Sequence, residues 1–575
     1  MYLWIDRNKY GHETLYVKKT FRKPDGGTCS KTIENLGRLS DLSKIHEDPI
    51  AWAKSYIEEL NRKEKENHQA ISIKFEPSKI IEKDDKRLYD GGYLFLQKIY
   101  HELRLDYICK KIKEKYKFEY DLSEILSYLV YGRVLYPMSK CSTYDYSSRL
   151  LEKPSFSLQD IYRALDVIAD ENEYIQSSMY KFSKDLGKRN DKILYYDCTN
   201  YYFEIEEERG ICKYGDSKEN RPNPIVQMGL FMDSDGIPLA FCLSPGNTNE
   251  QKTLIPLEQE IINDFKNSKL VVCTDAGLSS VTNRKFNDKE DRAFITTQSI
   301  KKMKKFQKEW ALSPKGWHLS NERSIFNLDE VLSEDSLKSK FYDRIFYKEE
   351  WFKEDGMEQK FIVTFSLKYR DYMRKIREEQ IIRAKKVVDS HGNTERIRQN
   401  DYKRFITKTS VTKAGEIAEN NVLTLNDDRI HEEEQYDGFY AVATNLDDSP
   451  EAIIEVNKGR WEIEESFRIM KTEFEARPVF LRKDNRILAH FSTCFIALTV
   501  FRYLEKKLQG KYTCSSIING LNDIKFLKFP DDGYVPAYTR NDFTDDLHNI
   551  FGFRTDYQII TNASMRKIIS ETKKK

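Results

Sequence analysis

The sequence predicts an α/β protein: a mixed sheet core, an all-α domain ahead of it and a β-hairpin region at the N-terminus. Three observations carry that reading. Between residues 191 and 300, runs rich in Val, Ile, Phe, Tyr and Thr are separated by helical segments. Residues 90–190 have helical texture with cap signals. Finally, Ile487 to Phe501 is an apolar run of 15 residues, which suits a helix buried in a core.

The elements follow in order. Residues 13–37 predict a hairpin, ETLYVKKTFRK, then PDGG, then TCSKTIENLG. A helix (PIAWAKSYIEELNRK) and a charged linker over 78–88 come next. In the helical block, DLSE at 121–124 and SLQD at 157–160 resemble capping boxes. That block reads as scaffold, with DNA-end binding or subunit contact as the alternative and Arg133, Lys140 and Arg149 as its cations. From 191 the order is strand, strand, strand, helix, strand, helix, strand. The first three strands should be antiparallel and the later ones joined through helices. Residues 301–445 are long, charged and mixed, and 446–510 return to helices. The expected divisions are 1–80, 90–190, 191–300, 301–445, 446–510 and 511–575. No internal repeat is present.

Composition bounds the function classes. With 33% charged and 39% hydrophobic residues, 35 Tyr and 32 Phe, the chain has ample material for a core. A net charge of +2 neither favours nor excludes a polyanion partner, so any such site must be a local patch. Nine cysteines without C-x-x-C spacing suit a reducing compartment and give no zinc signal. The N-terminus lacks a secretory apolar run, and 487–501 falls short of the ~18–20 residues that cross a bilayer. The expectation is a cytoplasmic chain with no membrane partner.

Three acids stand out. Asp197 lies within an apolar strand, LYYDCTN, where an ionised carboxylate is costly unless paired or bound to metal. Asp275 ends the strand VVCTD, a common place for chemistry where crossovers are helical. Glu464 lies in KGRWEIEESFRIMKTEF. At about 100° per residue, Arg460, Glu464, Arg468 and Lys471 share one face of that helix, while Ile463, Phe467, Met470 and Phe474 form the adjacent stripe. Each acid also has a plain reading: Glu464–Arg468 as an i,i+4 pair, Asp197 as an acid tied to a backbone N–H, Asp275 as a helix cap. Together they suggest more. Three converging carboxylates can hold two Mg²⁺ ions, with Mn²⁺ as a substitute, and two such ions act on phosphodiesters. Arg460 and Lys471 would then grip the DNA phosphates.

These residues resemble the Y-x2-R-x3-E-x6-K signature of DDE transposases in the bacterial insertion-sequence superfamily named after insertion sequence four. Arg460, Glu464 and Lys471 match its R, E and K; YYDCTNYYFE resembles the first-Asp strand and VVCTDAGLSS the second. SKENRPNP, DGFYAVATN, and EARPVF followed by the apolar helix with His490 are also similar to the family. The resemblance implies an RNase H-like core with Asp197, Asp275 and Glu464 as catalytic metal ligands. It implies a β-rich insertion within the 189 residues from Asp275 to Glu464. It further implies cut-and-paste transposition: metal-dependent hydrolysis at transposon ends, then joining of 3′-hydroxyls to target DNA. The partners would be double-stranded terminal inverted repeats and target DNA, handled by an end-bound homodimer at the bacterial nucleoid.

One position departs from the pattern. The family's Tyr falls at Asn457, which can donate to a phosphate but cannot stack, a departure that bears on the DNA-hairpin intermediate that the resemblance implies. Asn457 and Arg468 join Arg460 and Lys471 as expected DNA contacts. Trp310, Trp317 and Trp351 are candidates for a flipped base, each with a packing role as the alternative. Lys18, Lys19, Arg22 and Lys23 of the hairpin and the lysines of KKMKK at 301–305 are further candidates for DNA. His490 reads as a core histidine. The alternative function is a catalytically inactive, transposase-derived DNA-binding protein. A glycosidase using two of the carboxylates would leave the cationic helix face unexplained.

Overall fold

The structure, a computed structural model, describes residues 1–574 apart from 8, 23–27, 68–76, 79, 268, 290, 397–400, 412–416 and 530–532. The chain divides into two compact units, Met1–Asp85 and Lys86–Lys575.

In the first unit, β1 (Tyr2–Arg7), β2 (Glu13–Arg22) and β3 (Thr28–Arg38) form an antiparallel sheet in that order. The expected hairpin is β2–β3; its PDGG turn and Lys23 lie outside the described residues, and β1 is a strand the sequence did not announce. The helix Pro49–Asn67 follows, with Ala53 joining Leu15 and Leu42 in a small core. Lys18 lies 4.3 Å above the Trp4 ring and Lys19 pairs with Glu64, so part of the basic face is engaged within the unit.

The second unit begins at β4 (Leu88–Asp90) and then becomes helical. Asp121 caps the helix Leu122–Leu135 by accepting from the Ser123 and Glu124 amides, whereas Ser157 and Asp160 cap Leu158–Asp170 reciprocally. Both helices pack on the long helix Asp484–Lys507. That helix is apolar and long enough to cross a membrane by composition, yet 94% of its apolar window is buried inside the fold. Its hydroxyls at Ser492, Thr493 and Thr499 donate back to carbonyls four residues earlier, which removes the cost of burying them.

The remaining strands are β5 (Ile193–Tyr202), β6 (Ile225–Asp233), β7 (Pro238–Pro245), β8 (Val271–Thr274), β9 (Ala293–Gln298), β10 (His318–Leu319), β11 (Phe346–Glu354), β12 (Met357–Phe365), β13 (Ile406–Val411), β14 (Ile417–Leu425), β15 (Phe439–Thr444), β16 (Lys525–Phe529) and β17 (Gly533–Pro536). Nine of them form one mixed sheet in the order β10-β11-β12-β15-β9-β8-β5-β6-β7. β5, β6 and β7 are antiparallel neighbours, while β5, β8 and β9 run parallel. That is the pairing the strand order predicted.

The segment 301–445 differs from the expected separate insertion. It is β-rich, but β11 and β12 pair through β15 onto β9, so most of its strands extend the same sheet. The open edge of β9 presents backbone groups that need partners, and β15 supplies them. Only β13 and β14, with the helix Leu367–Asp389, build a small cluster of their own around Ala384, Phe405 and Ile406. Near the end of the chain β16 returns to pair with β4, and β17 pairs with β16.

β5 is covered on both faces, which is why it reads as a nearly continuous apolar run. Leu194, Tyr196 and Cys198 pack with the helix Leu254–Asp264. Tyr195 and Tyr201 share a core with Ile463, Phe467 and Met470 of the helix Trp461–Thr472.

Candidate active site

The site begins with the register of two parallel strands. Ile193, Leu194 and Tyr195 of β5 lie beside Val271, Val272 and Cys273 of β8. Two residues further along each chain, on one face of the sheet, come Asp197 and Asp275. Neighbouring strands are about 4.8 Å apart, so the two acids are side by side. Their fields are felt. The Asp197 carboxyl is pushed up to about 6, chiefly by burial, with Asp275 adding to the rise and Lys218 and Arg460 opposing it. Among the described residues each acid has one close protein donor, the Cys198 amide for Asp197 and the Leu278 amide for Asp275. The plain readings of both acids are therefore present, but neither acid is neutralised by a direct ion pair.

The helix Trp461–Thr472 is laid along the same face of β5. The Tyr195 hydroxyl donates to the Val456 carbonyl at 2.9 Å, and the Tyr201 hydroxyl reaches Met470 Sδ at 3.8 Å. Gly459 permits the approach, since a Cβ there would lie 2.1 Å from the Tyr195 hydroxyl oxygen. With a rise of ~1.5 Å per helical residue and ~3.3 Å per strand residue, Glu464 lies about 7–8 Å beyond Gly459 and Asp197 about 7 Å beyond Tyr195. Glu464 thus stands at the level of Asp197.

Its side chain nonetheless points outward, 65% exposed, with Oε1 at 3.7 Å from Arg460 Nη2. Among the described residues, the one trio of His, Cys, Asp or Glu whose donor atoms all lie within 4.8 Å is Asp545, His548 and Asp556. Glu464 is therefore not at shared-ligand distance from both aspartates. Arg460, whose charge is felt by Asp197, is the cation nearest to Glu464 and links the two along the helix.

Cations ring the two aspartates. Lys218 donates to the Cys198 carbonyl and pairs with Glu250 at 3.2 Å. Lys471 lies 3.4 Å from Glu219 and 5.4 Å from the Tyr201 ring; burial, with Lys218 nearby, pulls its ammonium down to about 8. Arg460 donates to Thr297 at 3.0 Å, and its Nε is buried without a partner. Arg468 is exposed and tied to Glu465 at 2.6 Å and Glu473 at 3.5 Å. Asn457 is buried, with its amide donating to the Tyr440 hydroxyl at 2.8 Å, so it has almost no surface to offer DNA in this arrangement.

Sequence reasoning missed several positioning residues. Lys218 stood within the familial SKENRPNP stretch and was not singled out. Arg502 gave no local signal, yet it pins the Glu464 helix to the long helix by donating to Ser466 Oγ at 2.7 Å and the Glu462 carbonyl at 3.1 Å. Of the three tryptophans, Trp317 is buried and donates to the Ser313 carbonyl, Trp310 is half-buried, and Trp351 is 41% exposed. His490 is a buried core histidine that bonds Lys140 and the Ala476 carbonyl. Lys304 pairs with Glu354 at 2.9 Å, while Lys301 lies 5.2 Å from the Tyr436 ring.

Two of the three fit a divalent metal as they stand: Asp197 and Asp275 are adjacent, partly buried carboxylates, each with one protein donor among the described residues.

The sequence profile of the transposase DDE domain matches residues 211–500, half of the chain, including Asp275, Arg460, Glu464 and Lys471. The chain belongs to the DDE transposases. The DDE match starts after Asp197, which lies outside it, beside Asp275 by the register of β5 and β8. A second profile, the IS1634 family transposase N-terminal domain, matches residues 5–71 of this transposase, within its first compact unit. That family differs from the superfamily the helix signature resembles. No curated protein sequence matches the transposase. Among solved structures, the piggyBac transposase synaptic complex with hairpin DNA covers 83% of this chain and 88% of its own at 10% identity, with a TM-score of 0.35, too low to transfer residues. Family membership makes the chain a DNA transposase and carries a general dependence on divalent metal.

Proposed function

We propose that this transposase cuts the terminal inverted repeats of an insertion sequence and joins the freed 3′-hydroxyls to target DNA. The core is read as RNase H-like, with Asp197, Asp275 and Glu464 holding two Mg²⁺ ions and the helix signature of the superfamily named after insertion sequence four. The observation that supports this best is the register of β5 and β8, which sets Asp197 beside Asp275 under the Glu464 helix. When bound, the ions supply charge that favours the attacking oxygen and stabilises the leaving one. The chain's own residues do the rest. Arg460, Lys218 and Lys471 would hold the strand's phosphates, with Arg460 also placed beside the Glu464 carboxylate. The enzyme works as an end-bound homodimer in the bacterial cytoplasm.

The test is nicking of a labelled duplex carrying the element's own end. Wild type should cut with Mg²⁺ and stop with chelator, and Asp197→Ala should not cut. Binding without cutting under every metal condition would leave the inactive DNA-binding reading.

A further inference from the structure

A cavity of about 100 Å³ opens beyond the C-terminal end of the Glu464 helix. Its wall is formed by Arg133 and Lys140 from two scaffold helices, His490 from the long helix, and the segment from Glu475 to Leu481. Arg133 and Lys140 are each 5% exposed, and among the described residues no carboxylate lies within 4.0 Å of either. Burying a cation without a paired carboxylate is unfavourable, and here two are buried together.

Their hydrogen bonds do not remove the charge. Arg133 donates to the carbonyls of Phe474, Glu475 and Met138, which fixes the cavity wall, while its Nε is buried without a partner. The Lys140 ammonium has three donors and one hydrogen-bond partner, His490 Nδ1 at 3.2 Å. His490 donates through Nε2 to the Ala476 carbonyl, so its ring is neutral and adds no negative charge. Burial and Arg133 pull Lys140 down to about 7, which is the response of an ammonium without a counterion.

The rim differs from the floor. Met138 and Phe480 are 49% and 69% exposed beside it, apolar surfaces that suit a nucleotide's sugar or base. Arg477, also on the wall, pairs with Glu219, and Glu219 pairs with Lys471 of the catalytic helix. A chain of two ion pairs thus links the cavity wall to the cationic ring around Asp197.

We propose that this cavity receives a phosphate group of the DNA strand held at the active site, bound by Lys140 with the positive charge of Arg133 beside it. The assignment rests on the transposase reading. It gives the helical domain a DNA contact that its buried cations otherwise lack.

The test uses the full chain with inorganic phosphate and with end DNA, comparing wild type with Lys140→Met and Lys140→Gln. Both variants remove a buried unpaired charge, so their melting temperatures at pH 6 should equal or exceed that of wild type. Inorganic phosphate should raise the melting temperature of wild type at constant ionic strength and leave both variants unmoved. Binding of the end duplex should weaken roughly tenfold in the variants, and the slope of log K against log salt should shrink by about one. A phosphate shift with an unchanged DNA slope would assign the cavity to a free anion and overturn the DNA phosphate. Absence of both effects would overturn the anion site altogether. Failure of wild type to bind DNA while the phosphate shift persists would instead indict the transposase reading.

Discussion

Tyr195 and Gly459 meet at a contact that admits no side chain: the Tyr195 hydroxyl, which donates to the Val456 carbonyl at 2.9 Å, would lie 2.1 Å from any Cβ at 459. This contact sets how closely the Glu464 helix approaches the Asp197 strand. Gly459→Ala should therefore push the helix off β5 and cost about 1–3 kcal/mol through overpacking. Strand nicking should fall with it. Gly459→Ala combined with Tyr195→Phe should recover part of both, because the oxygen is the nearer of the two Tyr195 atoms that would collide, at 2.1 Å against 2.8 Å for Cζ. A single variant with wild-type melting temperature and wild-type nicking would show that the approach is unimportant.

Glu464 separates chemistry from stability. Its carboxylate is 65% exposed and its ion pair with Arg460 spans 3.7 Å, a solvated pair worth less than about 0.5 kcal/mol. Glu464→Gln should unfold within a degree or two of wild type, yet lose at least about a hundredfold in metal-dependent nicking. Parallel melting and cleavage assays check this.

Asp197 predicts a pH signature. Its folded value, about 6, lies above its ordinary one near 3.8, because burial disfavours the anion. Its stabilising contribution is complete below pH ~4 and is lost as pH rises to about 6. Metal-free wild type should thus be less stable at pH 7.5 than Asp197→Asn, by on the order of 2 kcal/mol, and the gap should close near pH 4. Divalent metal should stabilise wild type at pH 7.5 and leave the Asn variant unmoved, which denaturant melts with and without Mg²⁺ will read.

Arg502 should behave as a structural keystone for the same helix. Glu462 and Glu505 are both pushed up by burial, and Arg502 is the cation that holds them down, at 3.5 Å and 3.0 Å. Arg502→Met would leave two half-buried carboxylates unpaired, at a cost of roughly 3 kcal/mol. The sign with pH is the reverse of a neutral cavity: the deficit should grow from pH 5 to pH 8 as the carboxylates ionise. A pH-independent deficit would mean that lost packing, not lost charge, is responsible.

Much of the site was legible in one dimension. Asp197 in its apolar strand, Asp275 at its strand end and the cationic face of the 461–472 helix are local patterns, and the periodicities of 2 and 3.6 place their side chains without reference to the rest of the chain. The caps at Asp121 and Ser157 were legible for the same reason. Asn457 was expected to contact DNA because it stands where the family's motif has Tyr, yet a motif is silent on burial, and Tyr440 from a distant strand bonds to it in the interior.

By itself, then, the sequence determined which strands and helices carry the acids, and through its motifs the family to which they belong. Only the tertiary structure decided that β5 and β8 are neighbours, that 301–445 feeds its strands into the same sheet, and that the exposed Glu464 carboxylate lies beside Arg460. It also decided that Arg133 and Lys140, surface cations in a linear reading, are sealed inside a cavity. Periodicity is a property of adjacent residues, whereas strand partners, burial and charge balance depend on which distant segments meet when the chain satisfies its backbone hydrogen bonds and closes its core.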